Sequence, residues 1–203
     1  MMHTDSTNVN RKVAQGVATR LAIIAAARHL FGTQGYAETS TEDVAAAAGV
    51  TKGALYHHFA AKNDLMRAVY EQVKRQITEQ VAPAFVDNES WPGLLAGCRA
   101  ILDAHGDPEV RRIVLLDGPS VLGWEVTREI EARYGAIVLR GALRKAMNTG
   151  VIERQPLAPL AQMLNGALIE GCNLISDADD PAATRAEVGG IVERLLVGLR
   201  PRI

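Results

Sequence analysis

The stretch from Ser40 to Phe59 constrains the fold of this chain most strongly, because it holds the start and stop signals of two short helices. Ser40 or Thr41 can cap the first helix with a side-chain oxygen, and the acidic residues that follow suit its positive end. Gly49 can end that helix, since glycine adopts a left-handed conformation at little cost. Thr51 can then cap the second helix. Two short helices joined by so tight a turn predict a helix-turn-helix.

The second helix presents an unusual outer face. At about 100° per residue, Leu55 points inward, whereas Lys52, Gly53, Tyr56 and His57 share one outward arc. A helix that lies in a major groove uses such groups. The glycine permits close approach, the lysine reaches guanine acceptors or phosphate, and the two ring side chains donate to phosphate oxygens. The arc therefore indicates contact with DNA.

The residues around this motif resemble the DNA-binding head of the TetR-like transcriptional repressors, over roughly the first third of the chain. The resemblance is carried by Ala26, Leu30, Phe31, Gly35, Tyr36, Thr39, Ser40, Asp43, Val44, Ala45, Ala48, Gly49, Val50, Lys52, Gly53, Ala54, Leu55, Tyr56, His58, Phe59, Lys62 and Leu65. It implies that double-stranded DNA is contacted by Ser40, Thr41, Thr51, Lys52, Gly53, Tyr56, His57 and Lys62. Ala61 departs from the family pattern, which usually has a capping residue there, and Asn63 is the expected substitute.

The composition favours an all-α protein. Only 4% of the residues are aromatic, so the core is aliphatic and alanine-rich. Cys98 and Cys172 lack metal-ligand spacing, and we expect no disulfide framework, no metal and no cofactor. No apolar run reaches the ~18 residues of a membrane span and no signal peptide is visible, so a cytoplasmic protein is expected. Residues 1–62 carry six basic and four acidic side chains, against 16 and 19 in the remainder. This asymmetry is typical of a chain whose amino-terminal domain binds DNA phosphates.

The expected architecture is an N-terminal three-helix helix-turn-helix domain joined by a long helix to a helical regulatory domain. The expected regions are a flexible arm over residues 1–16, a DNA-binding domain over 17–62, and a ligand-binding and dimerisation domain over 63–203. The first helix should run from Val17 to Gln34. A fourth helix, from near Asn63 to Pro83, is long enough to link the two bodies.

Capping residues, glycines and prolines further along the chain predict the helices of the regulatory domain. Ser90 and Asp107 are the expected caps of the next two helices, and the second of these helices should end near Asp117, where Gly118 and Pro119 follow. The long helix that follows is weakened by two glycines, Gly135 and Gly141. Two closing helices then begin near Pro156 and at Asp180-Pro181.

The two closing helices are apolar over a wide arc and rich in glycine and alanine. A chain of this size would struggle to cover both from one side, which predicts a two-fold dimer interface built as a four-helix bundle. The family resemblance implies the same assignment. The alternative is a monomer whose last helices close its own core.

An effector pocket would involve large or polar residues on the apolar faces of the body, namely Trp91, Cys98, Leu102, Leu116, Trp124, Tyr134, Met163, Asn165 and Cys172. For each of these, ordinary core packing is the alternative interpretation. Asn165 and Glu170 stand out because each has apolar neighbours, although a hydrogen bond across a dimer would satisfy either. His105 is interpreted as a donor to the end of its own helix.

These features predict a DNA-binding homodimer that occupies a palindromic operator. The family resemblance implies that it represses transcription and is released when a small molecule enters the body. Two alternatives remain open. An architectural DNA-binding protein would share the head, but it would not need a body of ~140 residues. An enzyme could use Cys98 and His105 as nucleophile and base, but no orienting partner or oxyanion loop accompanies them, so no enzymatic activity is expected.

Overall fold

The computed structural model of this protein describes residues 5–86 and 89–201, with the backbone alone over residues 5–10. The helices of this part of the chain are joined by turns and loops, and it contains no strand, which confirms the all-α prediction. The elements are α1 (Asp5–Thr33), α2 (Thr41–Ala47), α3 (Lys52–His58), α4 (Lys62–Val86), α5 (Ser90–Ala104), α6 (Pro108–Arg111), a π-helical segment (Arg112–Asp117), α7 (Gly118–Arg133), α8 (Gly135–Asn148), α9 (Leu157–Asp177) and α10 (Pro181–Val197). None of the described helices is long and apolar enough to cross a membrane.

Helices α1, α2 and α3 form the amino-terminal head. Ile23 and Phe31 are fully buried on one face of α1. They share the hydrophobic core with Val44 of α2 and Leu55 of α3, which are also buried. The periodic apolar face of α1 therefore covers the two short helices, as its sequence pattern predicts.

Helix α1 begins at Asp5 and not at Val17. Most of the sequence assigned to a flexible arm over residues 1–16 therefore belongs to this helix, whereas residues 1–4 lie outside the described part. The stretch between Asp5 and Gly16 has no apolar period, but it also contains no glycine or proline that would end a helix.

Helix α4 differs from the prediction at both ends. At its start, the Asp64 carboxylate accepts a hydrogen bond from the backbone N–H of Ala61 at 3.0 Å. Asn63, the expected cap, instead donates from its amide to the carbonyl of Val121 at 3.4 Å. At its other end the helix passes through Pro83 and continues to Val86.

Packing explains why α4 continues beyond its proline. Phe85 is buried against α5, where Gly97 leaves room for its ring: a Cβ at that position would lie 2.3 Å from the ring. Burial of a phenylalanine is worth about 1.5–3 kcal/mol. This gain is of the same order as the ~3 kcal/mol cost of a proline inside a helix.

The next two predicted caps have different outcomes. Asp107 is confirmed, because its Oδ1 accepts hydrogen bonds from the backbone N–H groups of Glu109 at 2.8 Å and Val110 at 3.3 Å. Ser90 was expected to cap α5, but it is the first residue of that helix, and its hydroxyl accepts a hydrogen bond from Thr149 at 3.1 Å. The cap position of α5 is occupied by Glu89, which makes no capping hydrogen bond with its side chain.

The prediction that a helix ends at Gly118 and Pro119 is wrong. The helix widens into the π-helical segment before them and then continues into α7. Gly118 allows close contact with Tyr70 of α4, since a Cβ there would lie 2.4 Å from the ring. The kink comes later, at Gly123, where φ is 78° and ψ is 166°.

Helices α8, α9 and α10 complete the body. The long helix is interrupted at Tyr134, immediately before Gly135, so the first of the two predicted weak points is where α7 gives way to α8. Helix α10 begins at Pro181 as predicted, because Asp180 accepts hydrogen bonds from the backbone N–H groups of Ala182 at 3.1 Å and Ala183 at 3.0 Å.

Candidate nucleic-acid interface and effector cavity

The first short helix of the head is capped from both directions. The Ser40 hydroxyl accepts a hydrogen bond from the backbone N–H of Asp43 at 3.1 Å, and the Asp43 carboxylate accepts one from the Ser40 N–H at 2.9 Å. This arrangement is a capping box, which satisfies two otherwise unpaired donors. The hydrogen bonds from the Ser40 side chain and backbone lower the pKa of Asp43. The predicted start of α2 is thus confirmed.

The turn between α2 and α3 follows the sequence pattern closely. Gly49 adopts a φ of 66°, in the left-handed region. The backbone N–H of Val50 donates to the carbonyl of Ala45 at 3.0 Å, which closes the end of α2. Thr51 caps α3, because its hydroxyl accepts a hydrogen bond from the N–H of Ala54 at 3.2 Å. The turn therefore fixes the orientation of α3 against the head.

The outer face of α3 is exposed. Leu55 is fully buried, whereas Lys52, Gly53, Tyr56 and His57 are all exposed, as the helical wheel predicts. The Tyr56 hydroxyl is held 3.1 Å from the hydroxyl of Thr41, and Thr41 itself is only 8% exposed. Two residues expected at the interface thus bond to each other across α2 and α3. This bond fixes the direction of the tyrosine hydroxyl.

Lys52 is paired with Glu42, although both side chains are more than half exposed. The hydrogen bond from Lys52 lowers the pKa of Glu42, and the same contact raises the pKa of Lys52. Solvent screens an exposed pair of this kind, so it contributes little to stability. The ammonium group can therefore exchange the carboxylate for another anion at low cost.

Lys62 lies at the first position of α4, where its ammonium group is 4.1 Å from the centre of the Tyr36 ring. The Arg20 guanidinium of α1 lies over the ring of Phe59, 5.0 Å from its centre. Both contacts are cation–π interactions at the edge of the helix-turn-helix. They hold two positive charges on the head without neutralising them.

The head is tied to the body near the end of α1. The backbone N–H of Tyr36 donates to the Asp117 carboxylate at 2.9 Å, and the Arg112 guanidinium donates to the carbonyl of Thr33 at 2.8 Å. Arg112 and Asp117 are the first and last residues of the π-helical segment. Any movement of this segment therefore displaces two anchors of the head.

A cavity of about 640 Å³ lies in the body between α7, α8 and α9. Tyr70 of α4 and Val114 and Leu115 of the π-helical segment contribute to its wall. A volume of this size is typical of a site for a small molecule. The same short segment thus lines the cavity and holds the head.

A buried ion pair lies beside the cavity. The Lys74 ammonium is 2.5 Å from Oε1 of Glu131, and the lysine side chain is only 2% exposed. Burial and the charge of Glu131 raise the pKa of Tyr70. Burial, followed by the charge of Lys74, lowers the pKa of His105 to about 4, so this imidazole is neutral at neutral pH. One of its nitrogens lies 2.8 Å from the Ile101 carbonyl, in agreement with the predicted bond to its own helix.

The structure brings two of the nine predicted pocket residues to the cavity wall, Trp124 and Asn165, together with Glu170. The other seven residues do not line this cavity. Cys98, Leu102 and Cys172 lie in the buried core, whereas Leu116 and Met163 are exposed. Trp91 and Tyr134 are partly buried against the core.

Sequence reasoning missed most of the polar wall, including Arg128, Glu131, Arg140 and Gln162. One signal was present in the sequence of α9. Polar residues recur there at helical spacing in positions 162, 165 and 173, on a face that also carries Gly166. Such a polar stripe facing the body indicates a cavity better than scattered large residues do.

Comparison with known proteins gives consistent matches along the chain. Residues 23–69 match the family described as bacterial regulatory proteins, tetR family, and residues 91–199 match the tetracyclin repressor-like C-terminal domain. The chain is similar to a TetR-family transcriptional regulator of Pectobacterium atrosepticum of known structure, with 34% identity, a TM-score of 0.82, and coverage of 93% of this chain and 97% of that chain. It is 26% identical over 159 residues to the transposon Tn10 TetC protein of Escherichia coli, covering 78% of this chain and 81% of that protein. It is also 26% identical over 170 residues to the HTH-type transcriptional regulator SrpR of Pseudomonas putida, covering 79% of this chain and 78% of that protein.

Proposed function

Because this chain belongs to the tetR family of bacterial transcriptional regulators, we propose that it is a repressor that occupies a palindromic operator as a homodimer and leaves it when a small molecule fills the cavity. The observation that carries this proposal is the exposed face of α3, where Lys52, Gly53, Tyr56 and His57 stand together above a doubly capped helix-turn-helix.

The proposed DNA contacts divide into two kinds. Lys52 lies in the first turn of α3, the part of a recognition helix that meets base edges, and its weak pairing with Glu42 is readily exchanged. Tyr56 and Lys62 can reach phosphate oxygens, which position a protein without reading sequence. Thr51 and Ser40 can offer hydroxyl groups at the two helix starts. Gly53 lets the backbone approach the groove.

Dimerisation through α9 and α10 is supported by the apolar side chains that these helices expose. Met163 is 76% exposed, Leu174 54%, Ile191 49% and Leu195 53%. Large apolar side chains clustered on two neighbouring helices mark an association surface. A two-fold pairing of α9 and α10 would bury them as a four-helix bundle. It would also place two recognition helices to read half-sites about 34 Å apart.

The proposed release mechanism uses the π-helical segment. Val114 and Leu115 contact the cavity, while Arg112 and Asp117 hold the head through Thr33 and Tyr36. A molecule that packs against the segment favours the position of the head that accommodates it. If that position does not match the half-site spacing, DNA affinity falls by the ratio of the ligand's affinities for the two states.

The proposal is tested on a duplex selected from a random pool, by fluorescence anisotropy at several salt concentrations. Lys52→Ala should chiefly relax the preference for the selected sequence. Tyr56→Phe and Lys62→Ala should weaken binding to all sequences, and Lys62→Ala should also flatten the salt dependence, because a cation–phosphate contact is lost. Arg154→Ala is the matched control, since this exposed arginine lies between α8 and α9. Equal losses for Lys52→Ala and Arg154→Ala would refute the assignment of α3.

A further inference from the structure

The charged groups of the cavity are not balanced. Two arginines and two glutamates line it, Arg128, Arg140, Glu131 and Glu170. Glu131 is already neutralised by the buried Lys74, whose ammonium lies 2.5 Å from its carboxylate. Among the residues that the structure describes, Glu170 is then the one lining carboxylate without a cationic partner, whereas two lining side chains carry guanidinium groups. The wall of the cavity thus carries an excess of one positive charge.

Neither arginine has a carboxylate partner within residues 5–86 and 89–201. The Arg128 guanidinium pairs with a neutral group: with the Gln162 amide turned to accept, its oxygen lies 3.0 Å and 3.1 Å from two guanidinium nitrogens. Arg140 is partly buried on α8, and among the described residues it has no hydrogen bond or ion pair. A partly buried guanidinium without a counter-charge is costly unless an anion joins it.

Much of the remaining wall is apolar, although Thr127, Asn165 and Asn173 also line the cavity. Val114 and Leu115 come from the π-helical segment, Trp124 from α7 and Ile169 from α9, with alanines between them. Apolar surface of this kind gains free energy when a hydrocarbon or aromatic body displaces its water. An occupant that fits both features has an apolar body and an acidic end.

We propose that the cavity binds an amphipathic organic anion, with Arg140 and Arg128 holding its acidic group and the apolar wall holding its body. A carboxylate suits a guanidinium group best, because the two planar groups form paired hydrogen bonds. Glu170, which accepts a hydrogen bond from Asn173 at 3.3 Å, opposes the anion and disfavours a second negative charge. This inference rests on the proposed function only in that the anion would be the effector.

The test uses three probes that share a phenyl group on a four-carbon chain and differ in the charge of the terminal group: 4-phenylbutyrate, 4-phenylbutanamide and 4-phenylbutylammonium. Binding is read from the fluorescence of Trp124 in full-length protein carrying Trp91→Phe, because the chain has two tryptophans and only Trp124 lines the cavity. Phenylbutyrate should bind at least tenfold more tightly than either of the other probes. Equal affinity for all three, tighter binding of the ammonium compound, or no binding of any probe would overturn the inference.

Substitution of the two cavity arginines tests where the acidic group of the probe binds. Arg140→Gln and Arg128→Gln should each weaken phenylbutyrate at least tenfold and leave phenylbutanamide unchanged, which also shows that the variants fold. Arg144→Gln is the matched control, because this exposed arginine lies one turn further along α8 and does not line the cavity. If Arg144→Gln weakens phenylbutyrate as much as Arg140→Gln does, the effect is a general charge effect and the site is refuted.

DNA release is measured separately from binding. If phenylbutyrate binds through Arg140 but never displaces a selected duplex, the cavity assignment stands and ligand-relieved repression fails. If neither arginine affects the binding of the acid, the assignment fails whatever happens on DNA.

Discussion

The buried pair of Lys74 and Glu131 allows the sharpest test of how the body is held together. The lysine is 2% exposed and its ammonium lies 2.5 Å from the carboxylate, so Glu131→Gln leaves a buried cation without its counter-charge. Removing one partner of a buried pair costs about 3–5 kcal/mol. For a chain of this length, 1 kcal/mol shifts the midpoint of thermal unfolding by about 2–4 °C. The expected fall in Tm is therefore roughly 6–20 °C.

The control lies two residues away on the same helix. Glu129 also pairs with arginines, Arg133 at 2.6 Å and Arg67 at 3.4 Å, but these partners are exposed. Glu129→Gln should therefore cost less than about 1 kcal/mol. The double variant Lys74→Met/Glu131→Leu removes both charges and should recover most of the lost stability. Calorimetry compares the three proteins. Equal Tm values for Glu129→Gln and Glu131→Gln, or no recovery in the double variant, would refute the reasoning.

Three further predictions concern the head, the pH dependence and the thiols. Thr51→Ala removes the cap of α3 and should lower the free energy of unfolding by about 1 kcal/mol, measured by urea denaturation, whereas Thr51→Ser should keep it. His105 has a folded-state pKa of about 4, below the ordinary 6.5, so the unfolded chain binds its proton first. The contribution of the neutral imidazole to the free energy of unfolding should therefore be complete above pH 6.5 and should fall by up to about 3 kcal/mol as the pH drops to 4. His105→Phe should flatten this dependence in unfolding curves measured at a series of pH values. Cys98 and Cys172 are buried and burial raises the pKa of each thiol to about 12, so neither should react with a thiol reagent at pH 8 until urea unfolds the protein. Rapid reaction of the native protein would show that the core opens there.

The sequence was most informative where structure depends on neighbouring residues. Ser40, Gly49 and Thr51 predicted the two short helices of the head, because capping bonds join groups at most a few residues apart. Asp107 and Asp180 predicted helix starts for the same reason. The exposed arc of α3 also followed, since the helical period fixes which side chains face away from Leu55.

Where tertiary packing decides, local signals were insufficient. Pro83 lies within α4 because Phe85 is buried beyond it, and Gly118 allows contact with Tyr70 without ending a helix. The cavity arises because α8 packs against both α7 and α9 and space remains between them. Its arginines lie on helices distant in sequence from the polar stripe of α9, so no single stretch reveals the site.

One dimer should read two half-sites through its paired recognition helices. Selection of bound duplexes from a random DNA pool by the full-length protein, sequenced at two salt concentrations, tests this claim most directly. Such a dimer should enrich a palindrome with half-sites about one helical turn apart, and the enrichment should persist at the higher salt. A pool that shows no enrichment, with binding lost uniformly as salt rises, would contradict it.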